Sequence, residues 1–217
     1  LDLVLVQRGR HDRRVREVVS AARERGLEVR QESRVGLDRL AAGVPHNGCA
    51  ARGAPLAYRQ LHEVVAPQGR GSRLLLLDDV DDPHNLGAVV RSAAAFGLDG
   101  VVVAGPSAPP LGGAVAKAAA GMLERVPLVR ARVAGDVLTV LRRDGYWVMG
   151  ADAAGQAVTG PPGVERWVLC VGAEERGLRA KTRSQVDEWV SIPMAEGVES
   201  LNLSVATGIL LFALCGS

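Results

Sequence analysis

Aromatic residues and cysteine are scarce in this 217-residue sequence. Only 3% of the residues are Phe, Trp or Tyr, so no clustered platform on which single-stranded bases could stack is visible. The cysteines are odd in number, far apart and in no metal-ligand spacing, which indicates a cytoplasmic, reduced protein. They are Cys49, Cys170 and Cys215.

Several kinds of segment and motif are also missing. No apolar run reaches the roughly 18 residues of a membrane span, and no secretion signal opens the chain, so we expect no membrane partner. HExxH, CxxC, GxGxxG and GxSxG motifs are absent and the histidines are scattered, so no metal site is predicted. The chain opens at Leu1 without Met, and we expect that an N-terminal piece is missing.

What is present is an uneven distribution of charge. Residues 1–70 carry 13 Arg against 8 acidic residues (13 − 8 = +5), whereas residues 71–217 carry 13 basic against 16 acidic residues (13 − 16 = −3). A Pro- and Gly-containing stretch separates the two parts. We therefore predict a first domain over 1–66 that is able to meet phosphate, a linker over 67–72 and a second domain over 73–217.

The pattern of apolar residues predicts an α/β fold. In the first part a strand over 3–6, a helix ending before Gly26 and an Asn-Gly turn at 47–48 form a small α/β unit. In the second part, apolar runs alternate with helical stretches, which predicts a parallel sheet with ligand sites at the carboxyl ends of its strands. These runs cover residues 73–77, 101–104, 126–129, 147–149, 167–171 and 189–192.

Three loops that follow predicted strands are chemically unusual. The first holds Asn85, at or near a helix N-cap, and Arg91, a cation within an apolar helix. The acidic residues before them, Asp79 and Asp81, are interpreted as solvated charge at a helix start. Arg91 is harder to explain in this way, so the loop is a candidate site.

The second and third loops have polar residues beside strand ends. The second begins at Gly172 and contains Glu174, and its glycines have Walker spacing without the required Lys and Ser/Thr. Glycine alone would indicate only a tight turn. The third contains Ser200, Asn202 and Ser204 after an Ile-Pro-Met entry at residues 192–194. One polar residue there is explained by helix capping, and three are not.

In this order, the three loops resemble the three motifs of the SpoU (TrmH) branch of the SPOUT RNA methyltransferases. The stretches are DPHNLGAVVRSA (82–93), LCVGAEERGL (169–178) and IPMAEGVESLNLSVA (192–206). The first part of the chain also resembles the small substrate-binding domain of RlmB-type enzymes. Its His-Asn-Gly turn at 46–48 is similar to the usual His-Gln-Gly.

The resemblance implies a parallel α/β sheet with a C-terminal deep trefoil knot, preceded by a small α/β substrate-binding domain. It implies a homodimer, S-adenosylmethionine as methyl donor without a metal, and methylation of a ribose 2′-hydroxyl in RNA. The cofactor contacts it implies are Gly172, Ile192, Met194, Leu201 and Ser204.

The resemblance also implies the residues of the chemistry. Arg91 would activate the 2′-hydroxyl or, since a guanidinium is a weak base, anchor the adjacent phosphate. Asn85 would orient the ribose or Arg91, Glu174 would shape the site, and Ser200 and Asn202 would position the substrate and loop. Glu175 and Glu196 stand where glycine is common, which adds acid near the cofactor loops.

The RNA target is left open between several alternatives. A guanosine in 23S rRNA is favoured, because tRNA-modifying relatives usually lack the N-terminal domain. A tRNA guanosine, or an rRNA adenosine methylated for antibiotic resistance, stays open. A different class, a non-catalytic RNA-binding or ribosome-assembly protein, is opposed by the presence of Asn85 and Arg91.

Overall fold

The computed structural model describes residues 1–216, and the chain divides into two compact units, Leu1–Leu56 and Ala57–Ser217. We call them the small unit and the large unit. Leu61, Val64 and Val65 pack into the core of the large unit, so the structural division lies ahead of the predicted linker at 67–72. The assignment of 1–66 to RNA binding and of 73–217 to catalysis stays a prediction.

The small unit is a three-stranded sheet with two helices. Its central strand pairs in parallel with the second strand and antiparallel with the third. Val4, Val6, Val15 and Ala22 form its buried core. Its elements are β1 (Leu3–Gln7), α1 (Arg13–Glu24), β2 (Glu28–Glu32), α2 (Arg34–Ala41) and β3 (Cys49–Arg52).

The large unit is built on a sheet in which all neighbouring strands are parallel, in the order β6-β5-β4-β8-β7-β9. The predicted α/β fold with a parallel sheet and a preceding small α/β unit is confirmed. The elements are α3 (Leu61–Val64), β4 (Ser72–Asp78), α4 (Pro83–Ala95), β5 (Gly100–Ala104), α5 (Gly113–Ala119), β6 (Leu128–Ala131), α6 (Ala134–Arg143), β7 (Trp147–Ala157), β8 (Arg166–Gly172), α7 (Ala180–Arg183), β9 (Glu188–Ser191) and α8 (Leu203–Cys215).

The strands form where continuous apolar runs can be buried on both faces of the sheet. In β4, the side chains of Leu74 to Leu77 are 0% exposed. Two helix starts differ from prediction. Asp82, not Asn85, caps α4, because Pro83 occupies the first helical position. Asp136 does not cap α6, since the helix begins two residues earlier and its carboxylate pairs with Lys181 instead.

The segment expected to act as a linker is held against the large unit. The Arg166 guanidinium donates to the carbonyl oxygens of Ala66, Pro67 and Arg70 at 2.9–3.2 Å. The Cζ atom of Arg166 lies 4.5 Å from the centre of the Tyr146 ring, in cation–π geometry. Residues 66–70 are therefore fastened to the start of β8. Within residues 1–216, no helix has both the length and the apolar character needed to cross a membrane.

Candidate active site

The three predicted loops meet at the carboxyl ends of β4, β8 and β9. The point of contact is one carboxylate oxygen, Glu174 Oε1. It accepts hydrogen bonds from Asn85 Nδ2 at 3.2 Å, Asn202 Nδ2 at 2.9 Å and Leu203 N at 3.0 Å. Asn202 Nδ2 also donates to Asn85 Oδ1 at 3.0 Å. The structure thus joins three of the predicted residues, one from each loop, in a single hydrogen-bonded cluster.

Asn202 has a second task at the start of α8. Its Oδ1 accepts from the backbone N–H groups of Ser204 and Val205, at 3.0 and 3.3 Å, and from the Ser204 hydroxyl at 2.6 Å. The predicted capping of this helix is confirmed for Asn202. In the structure the Ser204 hydroxyl is therefore directed to Asn202.

Beside this cluster lies a cavity of about 270 Å³ in which most of the predicted cofactor residues meet. Gly172, Ile192, Met194 and Leu201 line it, as do Glu174 and Ser200. Further lining residues that the sequence analysis did not single out are Asp152, Val190, Glu199 and Leu210. The cavity has apolar walls with carboxylates at its edge.

Gly172 is required by close backbone packing. A Cβ at this position would lie 2.0 Å from the carbonyl carbon of Gly177. Gly177, with φ of +61°, folds the loop back so that its N–H donates to Ala173 O at 2.8 Å. A side chain at residue 172 would push this loop away from the cavity.

A buried ion pair that sequence reasoning missed fixes the far end of the same loop. Asp78, at the end of β4, has a side chain that is 0% exposed. Its carboxylate accepts from Arg179 N at 3.0 Å, Arg179 Nε at 2.8 Å and Thr182 Oγ1 at 2.6 Å. The sequence analysis assigns no role to Asp78, because its partners lie about 100 residues away in the sequence.

The expectation for the neighbouring acids is only partly met. Asp81 is exposed, as predicted. Asp79 is not simply solvated, because its backbone is left-handed (φ +69°) and its Oδ1 accepts from Ser107 N at 3.3 Å. Its Oδ2 also lies 3.9 Å from Arg179 Nη1. Asp79 therefore helps to place the β5 loop beside the first motif.

One further carboxylate at the cavity has a defined charge state. The pKa of Asp152 is lowered from its ordinary value of 3.8, first by the Arg183 side chain at 2.8 Å and then by the Ala154 N–H at 3.0 Å. Arg183 in turn lies over the Trp189 ring at 4.4 Å. Asp152 thus presents a fixed negative charge to the cavity at neutral pH.

Arg91 is the predicted residue that the structure does not bring into the cluster. It lies on α4, six residues after Asn85, so its side chain leaves the helix about 240° around and about 9 Å farther along the axis. The residue is exposed. In the part of the chain that the structure describes, its guanidinium has no hydrogen-bond or ion-pair partner, which leaves it available to an anion from outside.

Other chemistries find no support in the side-chain arrangement. The Cys170 thiol is fully buried and its pKa is raised by that burial, so it is not a nucleophile. No group of three or more His, Cys, Asp or Glu able to hold a metal ion is present among the described residues.

Comparison with protein families matches both parts of the chain. Residues 72–212 match the SpoU rRNA Methylase family, and residues 1–59 match the family described as RNA 2′-O ribose methyltransferase substrate binding. A similar protein is the 23S rRNA (guanosine-2′-O-)-methyltransferase RlmB of Salmonella typhimurium. It is 39% identical over 217 residues, covering 96% of this chain and 87% of that protein.

Solved structures show the same likeness. The SpoU methyltransferase AviRb from Streptomyces viridochromogenes, in complex with AdoMet, has a TM-score of 0.77 at 25% identity, covering 99% of this chain and 82% of that one. An AdoMet-bound rRNA methyltransferase from Sinorhizobium meliloti has a TM-score of 0.75 at 26% identity, covering 98% and 78%. The resemblance inferred from the three motifs is confirmed.

Proposed function

This chain belongs to the SpoU rRNA methylase family, and on that premise we propose that it methylates the ribose 2′-hydroxyl of a guanosine in 23S rRNA. The methyl donor is S-adenosylmethionine. The observation that carries this proposal is the cluster at Glu174 Oε1, which ties the three motif loops together beside a cavity of about 270 Å³. The 39% identity over nearly the whole chain to a 23S rRNA guanosine methyltransferase supports the target.

The cavity residues fit the methyl donor. Apolar side chains, including Ile192, Leu201 and Leu210, offer walls for an adenine ring, and Asp152, Glu174 and Glu199 offer negative charge to a cationic ligand. S-adenosylmethionine supplies a methyl group on a positively charged sulfonium. We assign the role of cofactor contact to Gly172, Ile192, Met194 and Leu201, and a supporting role to Ser204 through Asn202.

The residues of the cluster serve to position rather than to react. Asn85 and Asn202 share Glu174 Oε1, so the first and third loops move together with the second. A 2′-hydroxyl is a poor nucleophile at neutral pH and needs its proton removed or its oxygen polarised. We assign Arg91 to the RNA phosphate next to that hydroxyl, because its exposed guanidinium is always charged and lacks a partner among residues 1–216. We assign Ser200, which lines the cavity, to positioning the substrate.

We further propose that the active protein is a homodimer formed through α8. Val205, Ile209 and Phe212 recur at helical spacing and are 50%, 42% and 67% exposed, which is a large apolar stripe for a helix surface. A second copy of the same face would cover it. Phe212 also contacts the ring of Phe96, the residue at the C-terminal end of α4, which carries Arg91, so the dimer interface would lie close to the site. A ribosomal RNA substrate supports a cytoplasmic location.

The target is tested by methyl transfer to defined RNAs. Purified protein with tritiated S-adenosylmethionine is expected to label 23S rRNA, and mapping of 2′-O-methyl groups is expected to find one guanosine that is unmodified in a strain lacking the protein. Total tRNA serves as the control and is expected to stay unlabelled. Labelling of tRNA, or of an rRNA adenosine, would show that the RNA target differs from the proposed one. Absence of any methyl transfer by a folded dimer would refute the proposed methyltransferase activity.

A further inference from the structure

The small unit contains a second concave site, separate from the methyl-donor cavity. It has a volume of about 560 Å³ and is bordered by the loop after β1, the first turns of α2 and the turn before β3. Its polar lining includes Arg10, Arg34, Asp38 and His46. None of these residues takes part in the site described above.

One border of this site is a turn that the Arg10 side chain packs against. Asn47 and Gly48 have φ values of +51° and +84°, and Cys49 N donates to His46 O at 3.0 Å, as in a two-residue hairpin turn. A Cβ on Gly48 would lie 2.6 Å from both Cδ and Nη1 of Arg10. Glycine is therefore needed for the turn and for the close approach of Arg10, whose Nε is paired with Asp12.

The same turn orients a carboxylate of the site. The His46 side chain is only 12% exposed, and its Nδ1 accepts from Gly48 N at 3.0 Å. The proton of the neutral ring is then on Nε2, which lies 3.0 Å from Asp38 Oδ1. Asp38 is held by this bond yet is 57% exposed, so it retains free acceptor capacity toward the cavity. Arg34, 78% exposed, stands 4.0 Å from Asp38 Oδ2.

This combination of groups favours a nucleotide over an acidic peptide. Residues 1–56 carry 11 Arg and no Lys against 7 acidic residues (11 − 7 = +4), which suits a phosphate backbone. A carboxylate within such a site repels phosphate but accepts from the edge of a base. Guanine offers two adjacent N–H donors on its Watson–Crick edge, and unpaired RNA bases are commonly read on that edge. The first Phe, Trp or Tyr of the chain is Tyr58, so the small unit has no such ring on which a base could stack. RNA binding by this unit would therefore rest on charge and hydrogen bonds.

We propose, resting on the RNA methyltransferase function above, that this site binds one unpaired guanosine of the substrate RNA other than the methylated nucleotide. Asp38, oriented by His46, accepts from the guanine edge. Arg10 and Arg34 contact the flanking phosphates. The small unit then selects the RNA by a base as well as by charge.

The test measures RNA binding by the 217-residue chain, with fluorescein-labelled single-stranded repeats of uridine with guanosine, inosine or adenosine. Inosine lacks one of the two guanine donors. Wild type is expected to bind the guanosine repeat about tenfold more tightly than the adenosine repeat, a difference of about 1.4 kcal/mol in binding free energy. Asp38→Asn is expected to abolish that preference while leaving the affinity for the adenosine repeat within twofold.

Arg10→Ala and Arg34→Ala are expected to weaken binding to all three repeats. Each is also expected to lower the slope of log affinity against log salt concentration by about 1. Arg25→Ala, at an exposed position at the end of α1, is the matched control and is expected to change neither quantity. Arg34→Ala removes a side chain that supports no turn or cap, so it remains informative if Arg10→Ala impairs folding.

Two outcomes overturn the site. One is equal effects of Arg34→Ala and Arg25→Ala, and the other is a guanosine preference that persists in Asp38→Asn. Methyl transfer to 23S rRNA is assayed with the same samples, which separates the two proposals. If wild type transfers methyl groups and the variants bind RNA as wild type does, only the guanosine site is refuted. If wild type binds RNA but transfers no methyl group, only the proposed reaction is refuted.

Discussion

Charged residues of the small unit are mostly exposed, whereas the charges that matter most in the large unit are buried or converge on one atom. In the small unit, Arg30 and Glu28 pair while 61% and 52% exposed. In the large unit, Asp78 is 0% exposed between Arg179 and Thr182. Exposed pairs contribute about 0–1 kcal/mol, and breaking a buried pair costs about 3–5 kcal/mol. The small unit thus keeps its charged groups accessible to a ligand, and the large unit uses charged groups to hold loops in place.

Arg91 is the exception in the large unit, and it provides the largest expected effect. Arg91→Ala should lower kcat/KM for methyl transfer by about 10²-fold or more, because the phosphate beside the reacting 2′-hydroxyl is no longer held in place. S-adenosylmethionine affinity, measured by calorimetry, should stay within twofold, because Arg91 does not line the donor cavity. Arg143→Ala, on α6, is the control with activity expected to be unchanged. Full activity of the Arg91 variant in a tritiated-methyl assay would refute its role.

The buried pair is the next test of the comparison. Asp78→Asn should lower the free energy of unfolding by about 3 kcal/mol, because Arg179 keeps its charge while its partner loses one. Asp136→Asn, which breaks a pair with Lys181 that is 65% and 60% exposed, should cost no more than about 1 kcal/mol. Urea denaturation of the two variants measures both values. Equal losses would show that burial does not distinguish the two kinds of pair.

Removal of the small unit tests where the division between the units lies. Deletion of 1–56 should leave a folded protein that binds S-adenosylmethionine and has lost RNA affinity. Deletion of 1–66 should destabilise the remainder by about 2 kcal/mol more, since it removes Val64, 5% exposed, and two neighbours from the core. Thermal unfolding of both proteins makes the comparison. Equal stability would move the division to the predicted linker at 67–72.

The smallest effect is expected in acid. The pKa of Asp152 is lowered by Arg183 and the Ala154 N–H. The contribution of Asp152 to the free energy of unfolding is therefore complete above the ordinary pKa of 3.8 and is lost as the pH falls through the lower folded-state pKa. Asp152→Asn should therefore lower the melting temperature slightly near neutral pH and flatten its fall below pH 4. Parallel pH profiles for wild type and variant would contradict this account.

The fold could be predicted because most strands of the large sheet contain a short apolar run. The strand β3 and the second half of β7 were missed, because neither has that pattern. The residues of the donor cavity followed from the resemblance of the three strand-end loops to the motifs of the SpoU family. The buried role of Asp78 could not, because burial of an acid depends on Arg179 and Thr182, which only the fold brings near. The exposure of Arg91 could not be predicted either. It depends on which face of α4 packs against the rest of the unit, and the apolar composition of the helix does not indicate that face.

The cluster at Glu174 also has a consequence for how the protein is made. Asn85 and Asn202, which it joins, are 117 residues apart in the sequence. At translation rates of about 5–20 residues per second, that separation corresponds to roughly 6–23 s of synthesis. The site cannot assemble until the last helix has emerged from the ribosome, so nascent chains are inactive. Contacts this distant also predict slow folding, and truncation just before Asn202 should yield a chain that never completes its active centre.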